Sequence, residues 1–327
     1  MTSAALRHRL RSLWASLTDP RMDQRLESEN VVPSKFLTNN NITLTTEAFS
    51  LSNTRAGNLN KRPPVLFLLR PQSIITNHSI DPNGEFFRVA AEEGAPEDDP
   101  SPANQIKKIF SDPEDDFYSR GGEVAHYIQD WAMGLYPRRL PPGCPNLATF
   151  CNIQAISAPH AFNMETRGFT RSNYQANIRW HTRVYEYTNT RPNGSPIYPH
   201  LILLGVQSCS GCANSISLGE LTSIVTAMRS RAHQPATFDE GPILAGEAEQ
   251  SENGDPEPDR EDKLAFKGEK RFPVIMVSLV GPRHVRIIYA CMDGTRLSIR
   301  MSGCQEIQPT DNWMCNIACV LLSDPLG

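Results

Sequence analysis

The chain has 327 residues and a formal net charge of -4, which excludes a protein whose binding depends on a large overall positive charge. No apolar stretch approaches the roughly 20 residues of a membrane-spanning helix, so no span is expected. No secretory signal is recognised either. The eight cysteines are therefore expected to be mostly reduced, in a cytoplasmic or nuclear protein.

The N-terminal segment, residues 1–61, carries few signals of structure and is expected to be mostly disordered. Its exception is a set of leucines at helical spacing: Leu6, Leu10, Leu13 and Leu17. Arginines surround them, and no acidic residue precedes Asp19. Two interpretations are open, a short surface helix or a mitochondrial presequence, which has this basic and amphipathic character.

A single α+β domain is expected over residues 62–324. Glu123 to Leu135 predicts an amphipathic helix, because its apolar residues share one stripe. Leu147 to Ser157 and Ala176 to Thr188 alternate apolar and polar residues, as strands do. Tyr198 to Gln207 contains an apolar run that indicates a buried strand.

The second half of the domain begins with a clear helix start. Ser217 and Glu220 match a capping box, in which each side chain accepts a hydrogen bond from a backbone N–H of the first turn. Residues 236–267 are acidic and rich in Pro, Gly and Glu, so they are expected to form a disordered insertion. Thr310 to Leu322 predicts a C-terminal helix.

Arg271 to Ser302 predicts three strands joined by two tight turns. Gly281-Pro282 separates the first two strands, and Asp293-Gly294 predicts a type I′ turn between the second and third. The expected fold class is therefore α+β. A mixed sheet flanked by helices ends in a three-strand antiparallel meander, and a C-terminal helix follows.

The order of elements over about residues 120–302 resembles the core of restriction-endonuclease-like proteins. That resemblance implies a magnesium site built from acidic side chains, for which Glu165 and Glu186 are the candidates. The strand LILLGVQSC, which begins at Leu201, carries neither an acid nor a lysine. A divergent metal-dependent nuclease is thus one alternative, and a nucleic-acid-binding relative without catalysis is another.

A second resemblance is to uncharacterised proteins of filamentous fungi and spans about residues 195–302. It is carried by Gly205-Val-Gln207, Leu218-Gly-Glu-Leu221, Phe272 to Pro282, Arg286-Ile-Ile-Tyr-Ala290 and Asp293-Gly294. It implies a fungal origin and brings no activity with it. A role as an accessory protein of a fungal secondary-metabolite pathway is a further hypothesis.

The sharpest local motif is Cys209-Ser-Gly-Cys212. A CxxC pair can lower a thiol pKa or supply half of a zinc site. A zinc site needs further ligands, and no second CxxC or histidine pair has matching spacing. Structural cysteines are the favoured interpretation, and no cofactor is expected.

Basic and aromatic residues alternate in two of the predicted strands. Arg179 and Arg183 lie in the first, and Arg286 lies in the meander. Such residues can hold phosphates and stack bases, although the solvated face of a half-buried sheet is the favoured interpretation. No convergent set of ionisable residues stands out. The first hypothesis is therefore a non-catalytic intracellular interaction or accessory protein with an unidentified protein partner.

Overall fold

The computed structural model describes most of the chain. The described residues contain one large mixed sheet. The described residues are 2–27, 30–46, 65–81, 102–111, 116–134, 136–157, 162, 166–173, 177–211, 214–236, 263–281, 283–308 and 310–326. In these ranges nine strands join the sheet, and hydrophobic cores cover both of its faces. The predicted α+β class is confirmed.

Among the described residues, most helices lie before residue 151 and most strands lie after it. The strands are β1 (Ile42–Thr46), β2 (Phe67–Leu68), β3 (Ile153–Ala155), β4 (Thr170–Asn173), β5 (Ile178–Tyr187), β6 (Leu201–Ser210), β7 (Val274–Gly281), β8 (His284–Asp293), β9 (Arg296–Met301), β10 (Gln305–Glu306) and β11 (Asp324–Pro325). The helices are α1 (Ser3–Thr18), α2 (Ser34–Asn39), α3 (Ser73–Thr76), α4 (Pro102–Ser111), α5 (Phe117–Met133), α6 (Leu147–Phe150), α7 (Thr166–Phe169), α8 (Leu218–Ala232) and α9 (Asp311–Leu321), with a 3-10 helix at Pro20–Arg25.

The sheet has the order β1-β9-β8-β7-β6-β5-β3, with β4 paired to β5 and β10 to β8. β6 and β7 are parallel, as are β1 and β9, and the other pairs are antiparallel. A parallel pair requires a crossover, which α8 provides between β6 and β7. The predicted meander is confirmed as β7-β8-β9.

The turn between β8 and β9 differs in type from the prediction. Asp293 pairs with Arg296, so the two central residues are Gly294 and Thr295 rather than Asp293 and Gly294. Of these two central residues, only Gly294 has a positive φ, which is 60°. A positive φ at the first central position alone is the pattern of a type II′ turn, and Gly adopts it without strain.

The prediction that residues 1–61 are mostly disordered is wrong for residues 2–27 and 30–46, while 47–61 lie outside the described residues. The four leucines of α1 are at most 2% exposed and belong to the core that covers one face of the sheet. Arg7 donates to the carbonyl oxygens of Ala232 at 2.8 Å and Phe266 at 2.9 Å. The helix therefore buries one side in the core and exposes the other, and it is an integral part of the fold.

Two other boundaries differ from the prediction. Leu147 to Ser157 forms α6 and then β3 rather than one strand, because Asn146 caps a helical turn by accepting from the Thr149 N–H at 2.8 Å. Residue 236 and residues 263–267, which were predicted to belong to the disordered insertion, have a defined structure. Ala236 donates to the Lys263 carbonyl at 2.7 Å, so both edges of the segment 237–262, which lies outside the described residues, are tied together.

The predicted helices are confirmed, with one extended. α5 begins at Phe117, earlier than predicted, because Asp116 accepts from the Ser119 N–H at 2.8 Å. The capping box at the start of α8 is complete, and α9 lies within the predicted range. In the described part of the chain, every helix is too short or too polar to cross a membrane.

Candidate functional site

Helix α8 lies on one face of the sheet, beneath α1, and all of its residues except Arg229 are buried. Its first turn carries Glu220, which is fully buried and forms an ion pair with Arg286 of β8. The Arg286 Nε donates to the Glu220 Oε1 at 2.7 Å. Burial alone would raise the pKa of Glu220, but the Arg286 guanidinium and its hydrogen bonds lower it overall. Glu220 is therefore ionised at neutral pH.

The last turn of α8 holds a second buried ion pair. Arg231 is fully buried and donates from Nη1 to the Glu186 Oε2 of β5 at 2.7 Å. The Gln154 Nε2 donates to the other carboxylate oxygen of Glu186 at 3.0 Å. An acidic residue at the start and a basic residue at the end of α8 also complement its dipole.

These two ion pairs account for two residues that the sequence suggested as functional. Glu186 is 3% exposed and Arg286 is 2% exposed, so neither faces solvent. The hypotheses that Glu186 binds a catalytic magnesium ion and that Arg286 contacts nucleic acid conflict with this burial. Arg286 lies among apolar residues that cover both faces of β8, whereas the sequence pattern predicts one solvated face. Glu165 lies outside the described residues.

Arg179 and Arg183 lie on the opposite face of the sheet, next to α5. Arg179 forms an ion pair with Asp116 at 2.8 Å, and its guanidinium lies 4.7 Å from the centre of the Tyr118 ring. Arg183 donates to the Gln129 side chain and contacts the His126 Nδ1 at 3.2 Å. Both arginines are thus held by side chains of α5 and of its N-cap residue.

Ionisable groups converge at one place on this face, which the sequence did not indicate. The His126 Nε2 lies 3.1 Å from the Asp130 Oδ2, and Arg183 contacts the other ring nitrogen. Burial raises the pKa of Asp130, against the opposing charges of His126 and Arg183. Because both imidazole nitrogens are occupied, His126 is poorly placed to accept a proton from a substrate. The sequence feature that could have indicated this cluster is the spacing of four between His126 and Asp130 within a predicted helix.

The CxxC motif begins at the end of β6. Cys209 is buried, and Cys212 lies outside the described residues. A side chain added at Gly211 would come within 2.4 Å of the Cys304 Sγ, so a distant cysteine lies against this motif. Cys209 and Cys304 are thiols, not disulfides. Among the residues that the structure describes, no group of three His, Cys, Asp or Glu side chains could hold a metal ion.

Three other cysteines behave as buried apolar residues. Burial raises the pKa of Cys151, Cys291 and Cys319 to about 11 in each case. The thiolate is the nucleophile and the metal ligand, so these side chains are unreactive at neutral pH. The interpretation of most cysteines as structural agrees with these three.

A cleft of about 270 Å³ opens between the end of α1 and the sheet. Its lining comes from four parts of the chain: Leu17, Thr18, Pro20, Thr170, Arg171, Trp180 and Thr222. Ligand sites are typically apolar clefts with a few polar groups that orient the ligand, and their volumes are usually at least about 300 Å³. This cleft has that composition and lies close to the lower limit in volume. We refer to it as the α1–β4 cleft.

Trp180 of β5 is fixed in the α1–β4 cleft by its neighbours. Its Nε1 donates to the Gly168 carbonyl at 3.2 Å, and its ring packs on α8 at Gly219. A Cβ at Gly219 would lie 2.9 Å from the ring and 2.2 Å from the Gln207 Oε1, so only glycine allows this approach. The indole is therefore a rigid wall.

Arg171 of β4 brings the charged group of the cleft. Its Nη2 donates to the Asp23 Oδ2 at 2.6 Å, and its guanidinium carbon lies 5.7 Å from the centre of the Trp180 ring. That distance is within the range of a cation–π contact. Asp23 comes from the 3-10 helix that follows α1, so the cleft exists only because α1 is docked.

Thr222 forms part of the same lining from α8. It is fully buried, and within the described part of the chain its hydroxyl has no hydrogen-bond partner. Buried hydroxyl groups are normally hydrogen-bonded, so a lone one beside a cleft is a signal for a bound water or ligand. Sequence reasoning missed this site, because its residues come from a segment expected to be disordered and from separate elements of the domain.

Comparisons with protein-family models, with curated proteins and with solved structures found no match for this chain. Its function is therefore inferred from the fold and from the geometry of the α1–β4 cleft.

Proposed function

We propose that this protein is a non-catalytic accessory protein that binds a small molecule in the α1–β4 cleft. The observation that carries the proposal is the composition of the cleft. A rigid indole, apolar walls and one guanidinium meet around a cavity of about 270 Å³. Such a combination suits recognition of a ligand.

The buried ion pairs support a role without catalysis. The Glu186 carboxylate already binds the Arg231 guanidinium and the Gln154 amide, so both of its oxygens are occupied. A magnesium ion would have to displace these partners and would leave Arg231 buried without its counter-charge, which is unfavourable. The divergent nuclease thus remains the weaker alternative.

An accessory role in a fungal secondary-metabolite pathway is compatible with the same site, since such a protein would bind a pathway compound. This narrower form depends on the resemblance to filamentous-fungal proteins. Genes for biosynthetic enzymes next to the gene for this chain would support it. A cytoplasmic or nuclear location is the accompanying prediction, and fluorescence microscopy of a C-terminally tagged chain would check it.

The test of ligand binding is a thermal-shift screen of a fragment library against the wild type and a variant with a blocked cleft. We expect several fragments to raise the unfolding midpoint of the wild type, because a ligand that binds only the folded state stabilises it. Thr18→Trp should abolish these shifts, because the indole would occupy the cleft.

Thr38→Trp is the matched control. Thr18 and Thr38 each donate from the hydroxyl to the carbonyl four residues earlier, at 3.0 and 3.1 Å, and Thr38 lies away from the cleft. Fragment shifts that survive in Thr18→Trp, or a wild type that responds to no fragment, would contradict the proposal. Magnesium-dependent cleavage of DNA that is lost in Glu186→Gln would favour the nuclease instead.

A further inference from the structure

We infer that the α1–β4 cleft selects neutral aromatic compounds that carry a carbonyl group, such as aromatic amides and lactams, over aromatic carboxylates. The inference rests on the proposed function and specifies the ligand class. It follows from the charge balance of the cleft and from the hydrogen-bonding groups that Arg171 and the threonines present.

The charge balance disfavours an anion. The Arg171 guanidinium is already compensated by the Asp23 carboxylate at 2.6 Å, so the pair is close to neutral. Leu17 and Thr18 are the last residues of α1, where the helix dipole places partial negative charge. A carboxylate would meet both the Asp23 charge and this helix end. A neutral carbonyl oxygen carries only a partial charge, so the Asp23 carboxylate and the end of α1 would repel it much less.

The hydrogen-bonding groups favour a carbonyl acceptor joined to an N–H donor. A guanidinium has five N–H donors, and Asp23 accepts from one of the two on Nη2. A ligand carbonyl can accept from those that remain. The Thr18 hydroxyl donates to the Trp14 carbonyl at 3.0 Å and keeps its lone pairs for an N–H group of the ligand. Thr222 also lines the cleft, and its buried hydroxyl has no partner among the described residues.

The shape of the cleft favours a planar apolar body. Trp180 is held rigid on one side, and Leu17 and Pro20 line another. Aromatic rings gain about 0.5–1.5 kcal/mol from such pairing beyond the area they bury. A volume of about 270 Å³ accommodates one or two rings rather than a long chain.

The test compares benzamide, benzoate and acetamide by ligand-observed NMR titration with the full-length protein. We expect benzamide to bind at least about tenfold more tightly than benzoate, which corresponds to about 1.4 kcal/mol. Acetamide should bind more weakly than benzamide, because it has the carbonyl and the N–H groups without the ring.

Two double variants keep the charge balance and locate the effect. Asp23→Asn with Arg171→Met removes the ion pair of the cleft and should weaken benzamide binding about tenfold or more. Asp116→Asn with Arg179→Met is the matched control, because that pair also lies beside an aromatic ring, Tyr118, but outside the cleft. Its benzamide affinity should equal that of the wild type.

Thr222→Val separates a ligand contact from a folding role. The hydroxyl has no partner in the described structure, so its replacement by an isosteric methyl group should leave the unfolding midpoint equal or higher while weakening benzamide. Thr226→Val, one turn later, removes a satisfied hydroxyl, which donates to the Thr222 carbonyl at 2.7 Å, and should leave benzamide binding unchanged.

The outcomes separate this inference from the proposed function. Benzoate binding as tightly as benzamide, with both lost in Thr18→Trp, would overturn the ligand class and leave the function standing. Equal loss of benzamide in the control double variant would also overturn it, because the effect would not come from the cleft. Failure of every fragment and every probe would overturn both.

Discussion

The Arg286 guanidinium of β8 and the Glu220 carboxylate of α8 form an ion pair in the interior, 66 positions apart in the chain. Arg286 also donates to the Ser215 carbonyl at 2.8 Å, just before the helix, and Glu220 accepts from the Ser217 N–H at 2.9 Å. One carboxylate thus caps α8 and neutralises a buried cation. The start of the helix is held directly above β8.

Replacing Glu220 by Gln should destabilise the protein by about 3–5 kcal/mol, because Arg286 would remain buried without its counter-charge. Urea denaturation followed by circular dichroism measures this loss. Glu220→Met combined with Arg286→Leu should lose much less, because removing both charges leaves none uncompensated. A double variant as unstable as Glu220→Gln would show that the destabilisation has another origin.

Leu10→Ala in α1 should cost about 2–5 kcal/mol, because the side chain is fully buried in the core with α8. The measurement is the free energy of unfolding in urea. His8→Ala, on the exposed side of the same helix, should change it by less than about 0.5 kcal/mol. A loss below that value for Leu10→Ala would indicate that α1 is dispensable, as a cleaved presequence would be.

Stability should fall as the pH drops from about 6.5 to about 4, in part because of His200. Burial lowers the pKa of His200 to about 4, although the backbone of Leu326 and Leu66 opposes the shift. In this window the unfolded chain binds more protons than the folded one, so stability is full above it and is lost on acidification. The site contributes up to about 3 kcal/mol.

His200→Phe should flatten this pH dependence, because the ring site is lined by Phe67, Tyr187 and Tyr198 and accepts another aromatic side chain. Urea midpoints at a series of pH values measure the slope. Burial also lowers the pKa of His233 to about 4, so a residual slope should remain in the variant. Parallel slopes for wild type and variant would assign the effect to other groups.

Gly219→Ala should destabilise the protein and distort the α1–β4 cleft, because its Cβ would lie 2.9 Å from the Trp180 ring and 2.2 Å from the Gln207 Oε1. Gly122→Ala in α5 is the control, since nothing lies within 4 Å of its Cβ. The control should gain about 0.5–1 kcal/mol, as alanine does over glycine inside a helix. Thermal unfolding compares the two, and equal effects would contradict the packing.

The elements that the sequence predicted well are those specified by local pattern. The capping box at Ser217 and Glu220, the apolar stripe of α5 and the strands of the meander depend on neighbours within a few positions. The same reasoning failed for α1. The leucine spacing predicted a helix, but a partner in α8 more than two hundred residues later has no local signature.

The charged residues are harder to predict for a related reason. Arginines in a strand are usually solvated, so the sequence pattern places Arg286 on an outer face. Its apolar neighbours, Val285 and Ile287, then indicate one covered face, whereas both faces of β8 are buried. The α1–β4 cleft is out of reach of the sequence because Asp23, Arg171 and Thr222 meet only after the helices dock.

The parallel pairing of β1 with β9 has a consequence for biosynthesis. Ile42 and its neighbour in the sheet, Leu297, lie more than two hundred positions apart in the chain, so Ile42 is synthesised long before its partner. The nascent chain must therefore carry β1 without this partner while the intervening residues are added, when an exposed strand edge is open to intermolecular association. Binding by a chaperone at the ribosome would protect this edge until β9 arrives.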